Sequence, residues 1–308
     1  MTETPNYILV TMTAGVNTSM NKYISKQLAV YIKQRPESLG LGRGGIWGDN
    51  AIVGFGSLAI SGTFNLFNGD VNVDGAVSVT AAGNRISGTL TCDNLTVSGT
   101  PANFSYGALS TPCPTLPNVS MKALSSYFNT NLSTGTQNWS KADIDKEYVF
   151  NSSVELTNNL NVYNLSTRQL KEGYYYCAGT MSLTGSAITG KVTFIASKIT
   201  IENNATGASG NESAYIQLEP YDPQNLLMWA TASSGNEIWI KGSDAEWHPC
   251  VRLKGILLAP SGEIKLEGTG SNPSGWFLHR ASSPAIIRGV IEAKTLTITG
   301  HDWWIYRW

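Results

Sequence analysis

The stretch SLAISGTFNLFNGDVNVDGAVSVTAAGNRISGTLTCDNLTVSGT, from Ser57 to Thr100, decides the fold. It consists of very short apolar-x-apolar segments, each followed by a turn that contains glycine or asparagine. Strands of hairpins recur about every 8 to 12 residues, whereas the period here is close to six. The shorter period predicts a solenoid in which each short strand is one side of a coil. The apolar positions that set this period are Ile60, Leu66, Val73, Val79, Ile86, Cys92 and Val97.

A longer repeat in the C-terminal half indicates the same fold. In each copy an apolar run ends at an alanine, and a second strand follows after a short turn. The alanines are separated by 34, 29 and 34 residues, and such unequal spacing is expected where insertions loop out from one corner of a solenoid. We therefore predict an all-β fold, a parallel β-helix or solenoid of short strands with about 18–20 residues per coil. The copies are GKVTFIASKITIENN (Ala196), LLMWATASSGNEIWIKG (Ala230), GILLAPSGEIKLEG (Ala259) and GVIEAKTLTITG (Ala293).

Two segments depart from the strand pattern. In TSMNKYISKQLAVYIKQRP, apolar residues recur at helical spacing and Pro36 ends the run, which predicts an N-terminal helix. The stretch 110–150 begins with several prolines and then has helical spacing at Met121, Leu124 and Phe128, which predicts a small helical insertion. The expected organisation is an N-terminal helical segment (1–45), a first solenoid block (46–109), a Pro-rich linker with a helix (110–150) and a second block with a C-terminal aromatic cap (151–308).

The composition suits a chain of many short strands and turns. Hydrophobic residues make up 42% of the chain, whereas charged residues make up only 14%, below the usual ~25%. The formal net charge is −1 and no run of lysine or arginine occurs, so nucleic acid is not an expected partner. The apolar segment Tyr7–Val16 is too short to span a bilayer and has no basic region before it, so neither a membrane span nor a targeting peptide is predicted.

The cysteines and the glycosylation sequons bear on where the protein works. The 4 cysteines never occur as CxxC, which argues against a structural zinc site. They are candidates for disulfides, with buried thiols as the alternative: Cys92, Cys113, Cys177 and Cys250. Asn-x-Ser/Thr sequons are more frequent than the composition predicts, which favours a secreted glycoprotein. They lie at Asn17, Asn94, Asn103, Asn118, Asn131, Asn138, Asn151, Asn164, Asn204 and Asn211.

No catalytic, metal or cofactor site is predicted. The chain has only 3 histidines, and none lies near a serine elbow or a catalytic cysteine signature. His248 and Cys250 are interpreted as part of a turn. A glycosidase or lyase would need paired carboxylates on one face of a coil, and Asp70 and Asp74 lie in successive turns. Single aspartates beside glycine usually form turns, so we expect no enzyme activity.

Tryptophans are concentrated in the last third of the chain. Trp239 alternates with Ile238 and Ile240, so it lies on the opposite face of its strand from them. An outward apolar surface on a protein of low charge usually marks an interface. Packing within the chain and stacking on sugar rings are the alternatives. The predicted interface residues are Trp239, Trp303, Trp304, Ile305 and Trp308.

The order of these motifs resembles that of β-solenoid (parallel β-helix) cell-surface proteins of bacteria and archaea. The resemblance includes the extracellular part of Tad-pilus-associated, TadG-like proteins and rests above all on the closing pair GILLAPSGEIKLEG and GVIEAKTLTITG. It implies architectural work outside the cell, without a catalytic motif. This chain lacks the membrane helix of the pilus-associated pattern, which favours a free component such as a subunit of an archaeal sheath or surface layer.

The sequence therefore predicts a non-enzymatic structural subunit of an extracellular, self-assembling structure, namely a sheath, surface layer or amyloid-like filament. Its expected partners are other copies of itself and surface glycans. The alternative is a carbohydrate-active or carbohydrate-binding β-helix, such as a phage tailspike, a polysaccharide lyase or an adhesin.

Overall fold

The computed structural model describes residues 7–17, 23–33, 52–98, 104–113, 146–204, 215–222, 225–232, 235–242, 251–268 and 285–306. Within these ranges there is no α-helix, and one 3₁₀ turn spans Leu156–Asn158. The predicted all-β class is confirmed. The chain divides into two compact units, Met1–Ser38 and Leu39–Trp308, which are described separately below.

The smaller unit contains an antiparallel strand pair instead of the predicted N-terminal helix. Strand β1 (Tyr7–Asn17) pairs with β2 (Tyr23–Lys33), with Tyr7 opposite Lys33 and Asn17 opposite Tyr23. The helical spacing was ambiguous, because the same segment is also rich in β-branched and aromatic side chains, which favour strands. The partner strand YILVTMTAGVN decides between the two patterns by pairing along its whole length.

The described residues of the larger unit form one 19-stranded sheet. Its strands pair in parallel, except for the antiparallel pair β12–β13. The second predicted helix, at Met121, Leu124 and Phe128, lies outside the described residues. The strands are β3 Ile52–Ile60, β4 Leu66–Asn68, β5 Val71–Val73, β6 Ala76–Val79, β7 Asn84–Thr91, β8 Asn94–Val97, β9 Phe104–Ser110, β10 Glu147–Phe150, β11 Val154–Glu155, β12 Tyr163–Asn164, β13 Gln169–Leu170, β14 Gly173–Gly185, β15 Thr189–Asn203, β16 Ile216–Glu219, β17 Leu226–Ala230, β18 Asn236–Lys241, β19 Val251–Glu267, β20 Ala285–Ile298 and β21 Trp303–Tyr306.

The strands are stacked in layers, and residues one repeat apart in sequence are backbone partners. Ser57 pairs with Ala76, and Ala76 pairs with Asn94. The alanines that align the longer repeat are also in register, since Ala196 pairs with Ala230 and Ala259 with Ala293. Adjacent layers are therefore related by the sequence repeat, and each layer adds about 4.8 Å to the height of the stack.

Each complete layer presents three flanks, which we name from β20. Residues 285–288 belong to flank A, 290–293 to flank B and 295–298 to flank C, and each pairs with the corresponding residues of the layers above and below. Inward side chains of all three flanks form one continuous core, for example Ile287, Ile291 and Leu296. Flank B is buried on both faces in β14, β15, β17, β19 and β20. Its unbroken apolar runs, such as LLMWA in β17, are typical of strands covered on both sides.

The order of the layers differs from the order of the chain. The stack runs from β10 and β11 through β14, β15, β16–β18, β19 and β20, and then continues with β3, the first strand of the unit. Leu296 of β20 pairs with Leu58 of β3. Strand β21 lies between β20 and β4, with Trp304 opposite Ile286 on one side and Leu66 on the other. One layer is therefore built from β21 on flank A and β3 on flanks B and C, and we call it the joint layer.

Close packing at the corners of the joint layer explains why position 62 is a glycine. A Cβ atom at Gly62 would collide with the backbone carbonyl of Gly300 in the layer below. The backbone amides of Ser61 and Gly62 both donate to the carbonyl oxygen of Ile298, at 2.9 and 3.2 Å. Only a residue without a side chain allows the two corners to approach this closely.

Candidate functional site

The C-terminal aromatic segment lies inside the stack and does not cap its end. The side chains of Trp303 and Ile305 are fully buried in the core of this chain, so they cannot contact a neighbouring subunit. The predicted interface role of these two residues is therefore corrected. In a strand successive side chains point to opposite faces, and Trp304 accordingly lies half-buried on the outer face of flank A. Trp308 lies outside the described residues.

Two buried asparagines hold the joint layer to the layer above it. The side-chain oxygen of Asn84 accepts from the backbone amide and from the side-chain amide of Asn65, both at 3.0 Å. The side chain of Asn84 also donates to the carbonyl oxygens of Gly62 and Ala81, at 3.0 and 2.9 Å. The side-chain oxygen of Asn65 then accepts from the backbone amide of Trp303 at 2.9 Å. Polar groups buried at these corners are thereby paired.

Trp239 lies half-buried on the outer face of flank C, as its alternation with isoleucines predicted. Its indole nitrogen donates to Glu267 at 3.0 Å, and the ammonium group of Lys265 lies 5.7 Å from the ring centroid. Lys265 also pairs with Glu267 at 2.8 Å. The surroundings of Trp239 are therefore charged, and the ring is already engaged by side chains of its own chain.

A concave site that the sequence did not reveal lies on flank A. A cavity of about 360 Å³ is lined by outward side chains of three successive layers, which belong to β16, β19 and β20. We call it the flank A groove. Gln217 pairs with Arg252, which pairs with Ile286, while Lys254 pairs with Arg288. The side chains that line the groove are Gln217, Glu219, Arg252, Lys254, Ile286 and Arg288.

The flank A groove is basic. The guanidinium of Arg252 lies over the ring of Tyr215 at 4.0 Å, which holds it against the wall. The ammonium of Lys254 is 3.8 Å from Glu219, and both side chains are about half exposed, 51% and 62%. Arg288 is exposed. The groove thus contains three cations and one carboxylate, and so favours an anionic ligand.

An aromatic pair continues the groove into the joint layer. Trp304 is the backbone partner of Ile286, and Tyr306 is the partner of Arg288. The two rings stand edge to face with centroids 6.4 Å apart, and both side chains remain partly exposed. Basic and aromatic side chains therefore occupy adjacent layers of the same flank.

The two ends of the sheet carry most of the exposed large hydrophobic side chains in the described part of the chain. At one end, every residue of β9 after Phe104 is exposed, including Tyr106 (39%) and Leu109 (43%). At the other end, Val149 in β10 is 50% exposed, and Leu160 and Leu165 flank β12 with 66% and 63%. Among described residues, only Phe64 combines a large apolar side chain with comparable exposure elsewhere. Within the described residues, both ends of the sheet therefore expose apolar side chains.

The predicted covalent sites are only partly described. Cys92, Cys113 and Cys177 are thiols in the structure, burial raises the pKa of each of them, and Cys250 lies outside the described residues. Of the sequon asparagines, four have exposed side chains: Asn94, Asn151, Asn164 and Asn204. Asn17 lies in β1, where side chains are not described, and the rest lie outside the described ranges: Asn103, Asn118, Asn131, Asn138 and Asn211.

Two glutamates in the described part of the chain have buried carboxyl groups. Glu237 and Glu292 are fully buried, and neither has a hydrogen-bond partner for its carboxyl oxygens among the described residues. Burial raises the pKa of Glu237 to about 7 and that of Glu292 well above its usual range. Asp70 accepts from the backbone amide of Thr89 in the adjacent layer at 2.8 Å, so its side chain links two layers. In the portion of the chain that is described, no group of His, Cys, Asp and Glu side chains is arranged to hold a metal ion.

Comparison with known proteins gives little. No protein-family model matches the chain, and no curated protein matches it. One similar solved structure is an ice-binding protein from the Antarctic ascomycete Antarctomyces psychrotrophicus, with 12% sequence identity and a TM-score of 0.39. The match covers 87% of this chain and 98% of that one. At this level of likeness no property of that protein transfers to this chain.

Proposed function

We propose that this chain is a β-solenoid and a non-enzymatic structural subunit of an extracellular assembly, and that subunits add end to end. The observation that carries the proposal is the exposure of Tyr106 and Leu109 at one end of the stack and of Val149, Leu160 and Leu165 at the other. The parallel pairing of layers supports the solenoid interpretation, because successive coils of a solenoid stack in this way. Such a stack leaves two strand edges at its ends.

The proposed contact joins β9 of one subunit to β10 of the next. An edge strand presents unpaired N–H and C=O groups, so two such edges can continue the ladder of backbone hydrogen bonds from one chain into the other. The two ends differ in sequence, FSYGALS in β9 and EYVF in β10, so the contact is heterologous. A heterologous contact that does not close into a ring produces an open filament, which is the architecture expected of a sheath or surface filament.

A charge at the edge tests this contact. Leu109→Lys combined with Tyr106→Lys places two ammonium groups on the β9 edge, where charged side chains block edge-to-edge pairing. We expect wild-type protein at micromolar concentration to form filaments visible by negative-stain electron microscopy, and the double variant to sediment as a monomer. The control is Ala76→Lys, an exposed position on flank C in a strand that has a neighbouring layer on both sides, which should leave assembly unchanged. A monomeric wild type, or filaments that persist in the edge variant, would overturn the proposal.

The setting of the assembly belongs to the same proposal. The sequons, the low charge and the resemblance described above support the remaining parts of the proposal. These are an extracellular location, a homopolymer of this chain, a sheath or surface-layer role, and a relationship to archaeal and bacterial surface solenoids. No helix in the described ranges is long and apolar enough to cross a membrane. The carbohydrate-binding alternative is favoured by a different feature, the flank A groove.

A further inference from the structure

We propose that the flank A groove binds a carboxylate-bearing sugar residue, such as a uronic or sialic acid, within a surface polysaccharide. This site is independent of the end-to-end contact, because the groove lies on the outer face of layers in the middle of the stack. Failure of self-assembly would therefore leave this proposal standing, and the reverse also holds.

The size of the groove suits a small ligand. Ligand sites in proteins usually have volumes of about 300–1000 Å³, and the cavity of about 360 Å³ lies at the lower end of that range. It is formed by three consecutive layers, which span about 10 Å along the stack at ~4.8 Å per layer. These dimensions suit one or two sugar rings and leave the rest of a polysaccharide outside the cavity.

The charges favour an anionic group such as a carboxylate. Arg288 is exposed and lies beside Lys254 in the next layer, so both side chains can reach one anionic group in the groove. A guanidinium binds a carboxylate through two parallel hydrogen bonds. Glu219 and Gln217 supply acceptors for the hydroxyl groups of the same sugar. A strongly charged polymer such as nucleic acid would need a more extensive basic surface, and the net charge of the chain is −1.

The aromatic pair distinguishes a sugar from a simple anion. Trp304 and Tyr306 follow the basic residues at the distance of one layer, in register with Ile286 and Arg288. An aromatic ring presents an electron-rich face, on which the positively polarised C–H groups of a pyranose can stack. A free inorganic anion has no apolar face and would gain nothing from these rings. The juxtaposition therefore favours a ligand that has both a carboxylate and a ring.

Isothermal titration calorimetry at low salt tests the site with named probes. We expect binding of a galacturonic acid oligosaccharide or of sialyllactose, and no binding of the neutral galactose oligosaccharide. Loss of a charged hydrogen bond costs about 1.5–3 kcal/mol, so Arg288→Gln should weaken binding by ~10-fold or more. The matched control is Arg85→Gln, an exposed arginine on flank A outside the cavity, which should change the affinity by less than about 2-fold.

Trp304→Ala provides the second measurement. It should weaken binding of the acidic oligosaccharide several-fold and leave the weak binding of inorganic phosphate unchanged. Unaltered circular dichroism spectra and melting temperatures of the variants ensure that a loss of binding is local. Absence of binding with both acidic probes overturns the proposal. Equal losses for Arg85→Gln and Arg288→Gln, or insensitivity of sugar binding to Trp304→Ala, would reduce the groove to a general attraction for anions and would also overturn it.

Discussion

Removal of the Trp303 side chain tests whether the C-terminal strand belongs to the core. The indole is fully buried in the joint layer, between β20 and the strands of the first block. A buried tryptophan removes about 150–250 Å² from water, which is worth roughly 4–6 kcal/mol at ~25 cal/mol per Å². Alanine retains a small part of this, and the remaining cavity relaxes partially, so Trp303→Ala should lower the free energy of unfolding by about 3–5 kcal/mol.

The matched control is Trp304→Ala in the same strand. The Trp304 side chain lies on the outer face and is only half-buried, so its removal should lower the free energy of unfolding by less than about 1.5 kcal/mol. Urea unfolding followed by circular dichroism, under conditions in which the protein is monomeric, measures both values. Similar losses for the two variants, or a Trp303→Ala variant as stable as the wild type, would refute the placement of β21 inside the stack.

Two further predictions concern buried polar groups. Burial raises the pKa of the Glu237 carboxyl to about 7, against the lowering effect of Lys198 and Lys294. The pKa of this carboxyl in the unfolded chain is near 4.5, so the folded state binds its proton more tightly. The free energy of unfolding should therefore fall by about 3 kcal/mol in total as the pH rises from 4.5 to 7. Glu237→Gln should abolish this part of the pH dependence, measured by urea titrations at pH 5 and pH 8. A variant whose stability depends on pH as that of the wild type does would contradict the prediction. Asn84→Ala should lower the free energy of unfolding by about 1–3 kcal/mol, because the carbonyl groups that it serves at the corners lose their donor. Asn94→Ala, on the exposed outer face of flank C, should be neutral in thermal unfolding, and equal effects of the two variants would contradict the role of the buried asparagines.

Much of the stack could be predicted because its repeat is local. The six-residue period placed Val73, Val79 and Ile86 correctly in the core, and the alanines of the longer repeat are in register. The period was one residue off at Leu66, since the neighbouring Phe67 points inward instead. A segment with two adjacent apolar residues fits either phase of a strand, and only the neighbouring layers select one.

The features that the sequence did not predict depend on contacts between distant residues. Arg288 follows Arg252 and Lys254 by more than thirty positions, and these basic residues of the groove meet only because their layers stack. A weak signal was present, since Lys254 and Arg288 each precede the first glycine of an aligned repeat. The position of Trp303 had no local signal, because alternation in WWIY states which residues share a face but not which layer they join.

The joint layer can form only late in the synthesis of the protein. Trp303 binds Asn65 across 238 residues of chain, and at about 5–20 residues per second a ribosome needs roughly 10–50 s to make that length. During this interval β3 and β4 have been made, while the strands that will lie beneath them do not yet exist. The lower edges of these early strands are therefore unpaired and prone to aggregation until β20 and β21 have been made, and slower translation lengthens this period.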